Sequence, residues 1–404
     1  MKREFPAPQR RLKALAAAVA AVGVLAPAAA AAASPRVFFV NMFSGRDQRY
    51  MIGRYVGGNP AGQRVRAGPH SCHLAWPSVT RGAHGTYWLY ASENDCRRWA
   101  RVVVFGSRDG ITFRRIGTAI APAADEQAIR TPYVVHDGRV FRAWVSVDRL
   151  GVEGQRVVYA ESGDGIHFRR RVGAKLVAGV QTAATTLAVE EVIRRNGRWS
   201  LMYTGFNRSG NRAWGGIASF TDPRERSYSH GHKIVRSRSI VAGLTAPSGP
   251  GQTTVRVSGA GGFAPGDPIV ISSLDGLEAE PARVLGHRND SLVLSAPLRF
   301  PHAAGAPVAV ADARKVSPSY VCHGQDGRWH GLFTAFGAFP RATTELALPY
   351  VASRLTGPWR LDKRFRFPFF SPFNWDGFYA SVENPTQVTR RPDAPACRGG
   401  SGPA

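Results

Sequence analysis

The sequence predicts an all-β fold: a five-bladed β-propeller with a small inserted β domain. Three observations predict it. A hairpin pattern recurs along the chain, no long amphipathic helical stretch follows the N-terminal segment, and 44 Gly and 28 Pro residues supply many turns. With 404 residues and 44% hydrophobic content, the chain is long enough to bury a sizeable core and too apolar for wholesale disorder.

Residues 1–33 stand apart from the fold. Lys2, Arg3, Arg10, Arg11 and Lys13 form a basic start, Leu15 to Leu25 an apolar run, and Ala29 to Ala33 a small-residue end. This is the pattern of a secretory signal cut near Ala33, and the expected location is secreted, extracellular or periplasmic. The apolar run falls short of the roughly 20 residues of a membrane span, so no membrane span is expected.

The repeat begins with WPSVTRGAHGTYWLYAS from Trp76. It returns as TPYVVHDGRVFRAWVSVD from Thr131, EEVIRRNGRWSLMYTGF from Glu190 and SPSYVCHGQDGRWHGLFTAF from Ser317. A fifth start is NPTQV from Asn384. Each full copy is an apolar strand, a polar turn with Gly and an alternating aromatic strand. A third strand follows each, as in VVVFGSRDGITF from Val102 and VVYAESGDGIHF from Val157, with tight-turn signals at Asp109-Gly110 and Asp164-Gly165. The fifth copy lacks its later strands. RVFFVNMF from Arg36 and QRYMIGRYV from Gln48 are expected to supply them, closing the ring without a free edge.

One interruption separates the third and fourth copies. Residues 247–312 are alternating and Gly-punctuated, and predict a small inserted β domain. The propeller then comprises residues 34–246 and 313–404, the latter with a C-terminal tail. The GFAPGD turn of the insert is not a phosphate loop, because no Lys-Ser/Thr follows it.

Charge and cysteine narrow the function. There are 53 Lys+Arg and 28 Asp+Glu, a net +25; removing residues 1–33 takes away five basic residues and one acidic one, leaving +21. Such a chain favours anionic surfaces or polymers, an anionic glycan among them. No zinc finger and no RNA-binding aromatic signature appear, so no nucleic acid partner is expected. Four cysteines in an exported chain predict two disulfides, for which sequence alone allows three pairings. No CxxC or HxxxH spacing supports a metal site, and no GxSxG elbow or phosphate loop points to other chemistry; no cofactor is expected.

In a propeller the first strand of each blade lines the central channel. Its start shares a rim with that blade's turn between strands two and three. This geometry gathers Trp76, Thr131, Glu190, Ser317 and Asn384, with Asp47, Asp95, Asp148, Asn207, Arg341 and Glu345 from the turns. Cys72 precedes the first copy and Cys96 lies in its rim turn, which favours Cys72–Cys96. Cys322 is then expected to pair with Cys397 on the opposite rim. Trp76 offers a flat apolar face to a sugar ring, and Arg130 and Arg341 offer guanidinium groups to a carboxylate or sulfate. Trp375 is placed on the pocket wall, ahead of the fifth copy.

The repeat resembles the five-bladed propeller glycoside hydrolases: family 43 arabinanases and xylosidases and the related fructan enzymes of families 32 and 68. The likeness covers most of the chain except residues 1–33 and the insert. It implies carbohydrate as the substrate, with carboxylates on both sides of a glycosidic bond. In that pattern a Glu begins the third inner strand as general acid, which falls here on Glu190. Asp residues are expected at the first two inner strands, but Ala75-Trp76-Pro77 and Arg130-Thr131-Pro132 stand there. The resemblance therefore implies a second carboxylate from elsewhere on the rim, with Asp95 the first choice before Asp148, Asp47 and Glu345. The alternative is a non-catalytic propeller that binds glycans or polyanions. Thr131, Asp148 and Asn207 are the remaining substrate-contact candidates.

Overall fold

The computed structural model describes residues 37–44, 49–56, 59–60, 65–82, 84–171, 173–178, 184, 186–206, 213–229, 231–235, 240–272, 279–310, 316–336, 345–362 and 379–387. The expected signal segment, Asp47, Asn207, Arg341, Trp375 and Cys397 lie outside these residues, as does the side chain of Glu345.

The described chain is strands joined by turns, with one short helical turn, Ala260–Gly262, among the described residues. The first sheet runs His73–Arg81, Tyr87–Asn94, Trp99–Ser107, Arg114–Ile120 in spatial order. The second runs Glu126–His136, Phe141–Arg149, Val152–Ser162, with Arg169–Arg170 and Leu176–Val177 at its outer edge. The third is Thr186–Arg195, Arg198–Phe206, Ala213–Phe220, His232–Lys233. These are antiparallel meanders, as hairpins with short Gly-containing turns must be.

The last large sheet has eight strands. Val316–His323, Trp329–Phe336, Glu345–Ala352 and Arg360–Leu361 form one part. Tyr379–Gln387, Val37–Ser44, Arg49–Val56 and Asn59–Pro60 form the other, joined to the first by a parallel pairing of Leu346 with Val382. The two ends of the described chain thus meet in one sheet, where Val37–Ser44 lies antiparallel to Tyr379–Gln387.

The leading strands of these groups also touch one another in sequence. His73–Arg81 packs on Glu126–His136, that on Thr186–Arg195, that on Val316–His323, and that on Tyr379–Gln387. The last returns to His73–Arg81. All of these except Tyr379–Gln387 are edge strands, whose outward N–H groups have no ladder partner. Side chains of the preceding sheet supply acceptors. Ser78 Oγ accepts from Val134 N at 2.8 Å and Thr80 Oγ1 from His136 N at 3.2 Å. Gln155 Oε1 accepts from Leu187 N at 2.9 Å, and Glu191 Oε2 from Val321 N at 2.6 Å.

The first four leading strands each carry a β-bulge, which places Trp76, Thr131 and Glu190 inside their strands rather than at the starts. The register shifts between Ala75 and Ser78, Arg130 and Tyr133, Val189 and Glu191, and Pro318 and Tyr320. Proline explains three of them. Pro77, Pro132 and Pro318 have no N–H to donate, and inside sheets proline is confined to edges and bulges. Trp76 and Thr131 sit at φ 56° and 45°, a left-handed conformation that side chains rarely adopt.

The chain between the third and fourth groups forms a six-stranded sheet in the order Val241–Gly243, Pro307–Val310, Pro268–Ser272, Ala279–Arg288, Ser291–Leu294, Thr254–Arg256, whose first strand precedes the insert boundary expected at residue 247. It has its own core of Leu244, Val257, Phe263, Ile269, Ile271, Leu292 and Val308. Strand alternation turns Val270 the other way, into a cluster with Ile217, Trp329, Tyr350 and Trp359. The insert sheet therefore packs on the neighbouring sheets.

Candidate functional site

Glu190 is the extra residue of its bulge, between Val189, which faces Tyr203, and Glu191, which faces Met202. A bulge re-aims the side chain it carries. Glu190 is half-buried, and its Oε1 accepts from the Thr204 hydroxyl at 2.7 Å. The Thr204 oxygen is itself 2.6 Å from Ser317 Oγ, and both hydroxyl residues are buried. A carboxyl group held against a buried hydroxyl pair, with part of its surface open, can exchange a proton with a bound molecule. Glu191 has the opposite environment. It is buried, and burial pushes its carboxyl well above the usual range, against the smaller opposing effect of the Val321 N–H.

Thr131 is 3% exposed and its hydroxyl is engaged inside the protein. It donates to Ser146 Oγ at 2.9 Å and accepts from Val189 N at 3.0 Å. Its visible role is to hold the residue before Glu190. Beside it, Arg130 forms a short ion pair with Asp148, both partly exposed.

Trp76 lies against Trp99, with ring centroids 4.4 Å apart at 51°. Trp99 also approaches His73 at 6.1 Å, and His73 approaches Tyr50 at 5.8 Å. Burial, and then the Arg49 charge, lower the His73 pKa and favour a neutral ring. The Cys72–Cys96 disulfide is formed as expected, with Cα atoms 5.0 Å apart, and ties the start of this strand to its rim turn. Cys322 is also disulfide-bonded.

Asp95 sits in that rim turn. Its Oδ1 accepts from Arg98 N at 2.9 Å and Arg97 N at 3.0 Å, and these bonds hold its carboxyl below the usual range. Nearby Glu93 is buried, with Arg101, Arg115 and the Gly68 N–H all directed at its carboxylate. It closes an internal charge cluster rather than facing solvent. Among the described residues no three His, Cys, Asp or Glu side chains are grouped to hold a metal ion.

Sequence reasoning missed Trp99, Thr204 and Ser146. Trp99 could have been found from its place just after the turn that holds Asp95. The other two carry no sequence signal, because their importance lies in which neighbouring sheet they touch.

No protein-family model matches the sequence, and no curated protein sequence matches it. The structure is similar to an endo-arabinase from Bacteroides thetaiotaomicron at 13% identity and a TM-score of 0.44, covering 74% of this chain and 82% of that one. It is similar to a thermostable family-43 glycoside hydrolase at 11% identity and 0.41, covering 75% and 76%. It is also similar to the GH43_1 enzyme from Xanthomonas citri complexed with xylotriose, at 12% identity and 0.42, covering 72% of each. The chain thus resembles propeller glycoside hydrolases, at low identity.

Proposed function

We propose that this is a secreted five-bladed propeller that acts on an oligo- or polysaccharide at the rim of its ring, with Glu190 as the proton donor. The observation that carries the reading is the placement of Glu190. It is the carboxylate that stands on a leading-strand bulge, partly open and braced by Thr204 and Ser317. The closed circuit of leading strands supports five blades, and the Cys72–Cys96 disulfide suits an exported chain. Trp76, backed by Trp99, offers the ring surface for a sugar, and Arg130 with Asp148 offers polar contacts at the neighbouring bulge. Asn207, Arg341 and Trp375 are assigned to the same rim. Hydrolysis needs a second carboxylate, and Asp95, kept ionised by its turn, is our first assignment.

One observation favours a second reading, a propeller that binds glycans without cleaving them. The bulges of the first two leading strands carry Trp76 and the internally bonded Thr131 instead of carboxylates. The deciding experiment is hydrolysis of plant, fungal and bacterial polysaccharides by the purified mature protein beside Glu190→Gln. Cleavage lost in the variant supports the hydrolase with Glu190 as its acid. Cleavage retained in the variant removes Glu190 from that role. Binding without cleavage by the wild type establishes the second reading.

A further inference from the structure

We propose that the outer edge strands form a basic perimeter that holds an acidic polysaccharide chain, apart from the rim carrying Glu190. The outermost strands of four consecutive strand groups are Arg114–Ile120, Arg169–Arg170, His232–Lys233 and Arg360–Leu361. Every one opens with a basic or imidazole side chain, and none contains an acidic residue. Topology puts them in corresponding places, each paired antiparallel to the third strand of its group: Arg114 faces Gly106, Arg169 faces Glu161, Lys233 faces Gly216 and Arg360 faces Val351.

Within the first two strands the basic residues divide by direction. Arg115 and Arg170 turn inward to Glu93 and Glu126. Arg114 and Arg169 are exposed, and like exposed Arg360 they make no ion pair among the described residues. Exposed Lys233 lies 4.1 Å over the Trp214 ring and makes no ion pair among the described residues. The carboxylates of the preceding turns, Asp109 and Asp164, are directed at partners in their own loops: backbone N–H groups, the hydroxyls of Ser107 and Ser162, and for Asp164 the His167 ring. Lone basic residues on an edge strand serve to prevent edge-to-edge pairing. Here the same sign recurs at equivalent places in four of the five groups, the outer strand Asn59–Pro60 of the last being uncharged, on a chain of net charge +25. Guanidinium groups pair well with carboxylate and sulfate oxygens, and a row of them suits a linear polyanion. Exposed Ile111 and Ile116 on the first group add apolar surface for sugar rings. The choice of polysaccharide over other polyanions rests on the carbohydrate reading above.

The test is binding of the mature protein to polygalacturonate and dextran sulfate, with neutral dextran, a DNA oligonucleotide and phosphatidylglycerol vesicles alongside. A variant carrying R114Q, R169Q, K233Q and R360Q is compared with a control carrying R66Q, R198Q, R256Q and R288Q. Both remove the same charge from exposed positions. We expect salt-sensitive binding to both acidic polysaccharides, weakened about tenfold or more in the perimeter variant and less than about threefold in the control. Equal losses in the two variants would reduce the effect to net charge and overturn the proposal. So would absence of binding to the acidic polysaccharides, or perimeter-dependent binding confined to DNA or vesicles. Glu190→Gln separates the two readings: perimeter binding that survives in it, with no wild-type cleavage, sinks the hydrolase alone. Cleavage with no perimeter effect sinks the perimeter alone.

Discussion

Val189 donates its backbone N–H to the hydroxyl of Thr131 at 3.0 Å, so the residue before Glu190 is anchored by a side chain of the neighbouring sheet. Ser146 Oγ shares the same donor at 3.1 Å. The second bulge thus supports the third, and the two candidate positions are mechanically linked.

Thr131→Val keeps shape and β-branching but removes this buried acceptor. It leaves Val189 with Ser146 alone and Ser146 without its partner. We expect a loss of about 1–2 kcal/mol in urea denaturation, with Thr131→Ser close to wild type. An unchanged midpoint in the valine variant would show that Ser146 suffices.

The Cys72–Cys96 bridge closes a loop of sequence separation 24, for which loop-closure entropy gives a stabilisation of about 3.5 kcal/mol. Replacing both cysteines with serine should lower the thermal midpoint measurably. It should also weaken the contact between Trp76 and Trp99, since the bridge ties their two chain segments together. Intrinsic tryptophan emission compared before and after substitution would report that second effect.

Much of the architecture was legible because the repeat is local. Hairpins with Gly turns and period-two aromatic strands specify themselves over about 20 residues. The bulges were also written in the sequence, since Pro77, Pro132 and Pro318 cannot sit in a regular ladder, although the repeat was read there without them. The site was less legible. Asp95 reads as a rim carboxylate, yet its turn occupies it with Arg97 and Arg98 N–H groups, ordinary chemistry for Asp in a turn. The positions of Thr131, Thr204 and Ser146 matter through contacts between sheets, which depend on how successive sheets pack and have no spacing rule. The same holds for Val270, whose outward face became an interface with the neighbouring sheets.

Glu93 should govern acid stability. Burial alone would raise its carboxyl, but hydrogen bonds from Arg115, the Gly68 N–H and Arg101 outweigh that and hold it down at about 2. Glu161, bonded by Arg224, Arg171 and Tyr159, is likewise held at about 2. A carboxyl depressed in the folded state contributes stability that is fully present above its ordinary value of 4.5 and is lost as pH falls toward 2. Glu93→Gln should cost about 3 kcal/mol at pH 7, at the low end for a broken buried pair because both arginines are partly exposed. The gap to wild type should narrow steadily in denaturation curves taken from pH 4.5 to pH 2. A gap independent of pH would mean that packing, not charge, makes Glu93 matter.

Glu191 should act in the opposite direction. Its carboxyl is raised well above 4.5 by burial, so the folded protein keeps a proton that the unfolded chain releases. Stability then falls as pH rises above 4.5, until the folded group also ionises. Glu191→Gln presents a neutral acceptor to the Val321 N–H and has no proton to lose. We expect it to match wild type near pH 4.5 and to exceed it increasingly toward pH 8, whereas Glu191→Ala, which strands that N–H and leaves a cavity, should lie about 2–4 kcal/mol below Glu191→Gln at every pH. The comparison of the two variants by urea denaturation across that range isolates the charge from the hydrogen bond. Parallel curves for wild type and Glu191→Gln would show that the carboxyl is not held neutral at all. In that case the joint between the third and fourth leading strands would rest on an ionised group accepting from Val321.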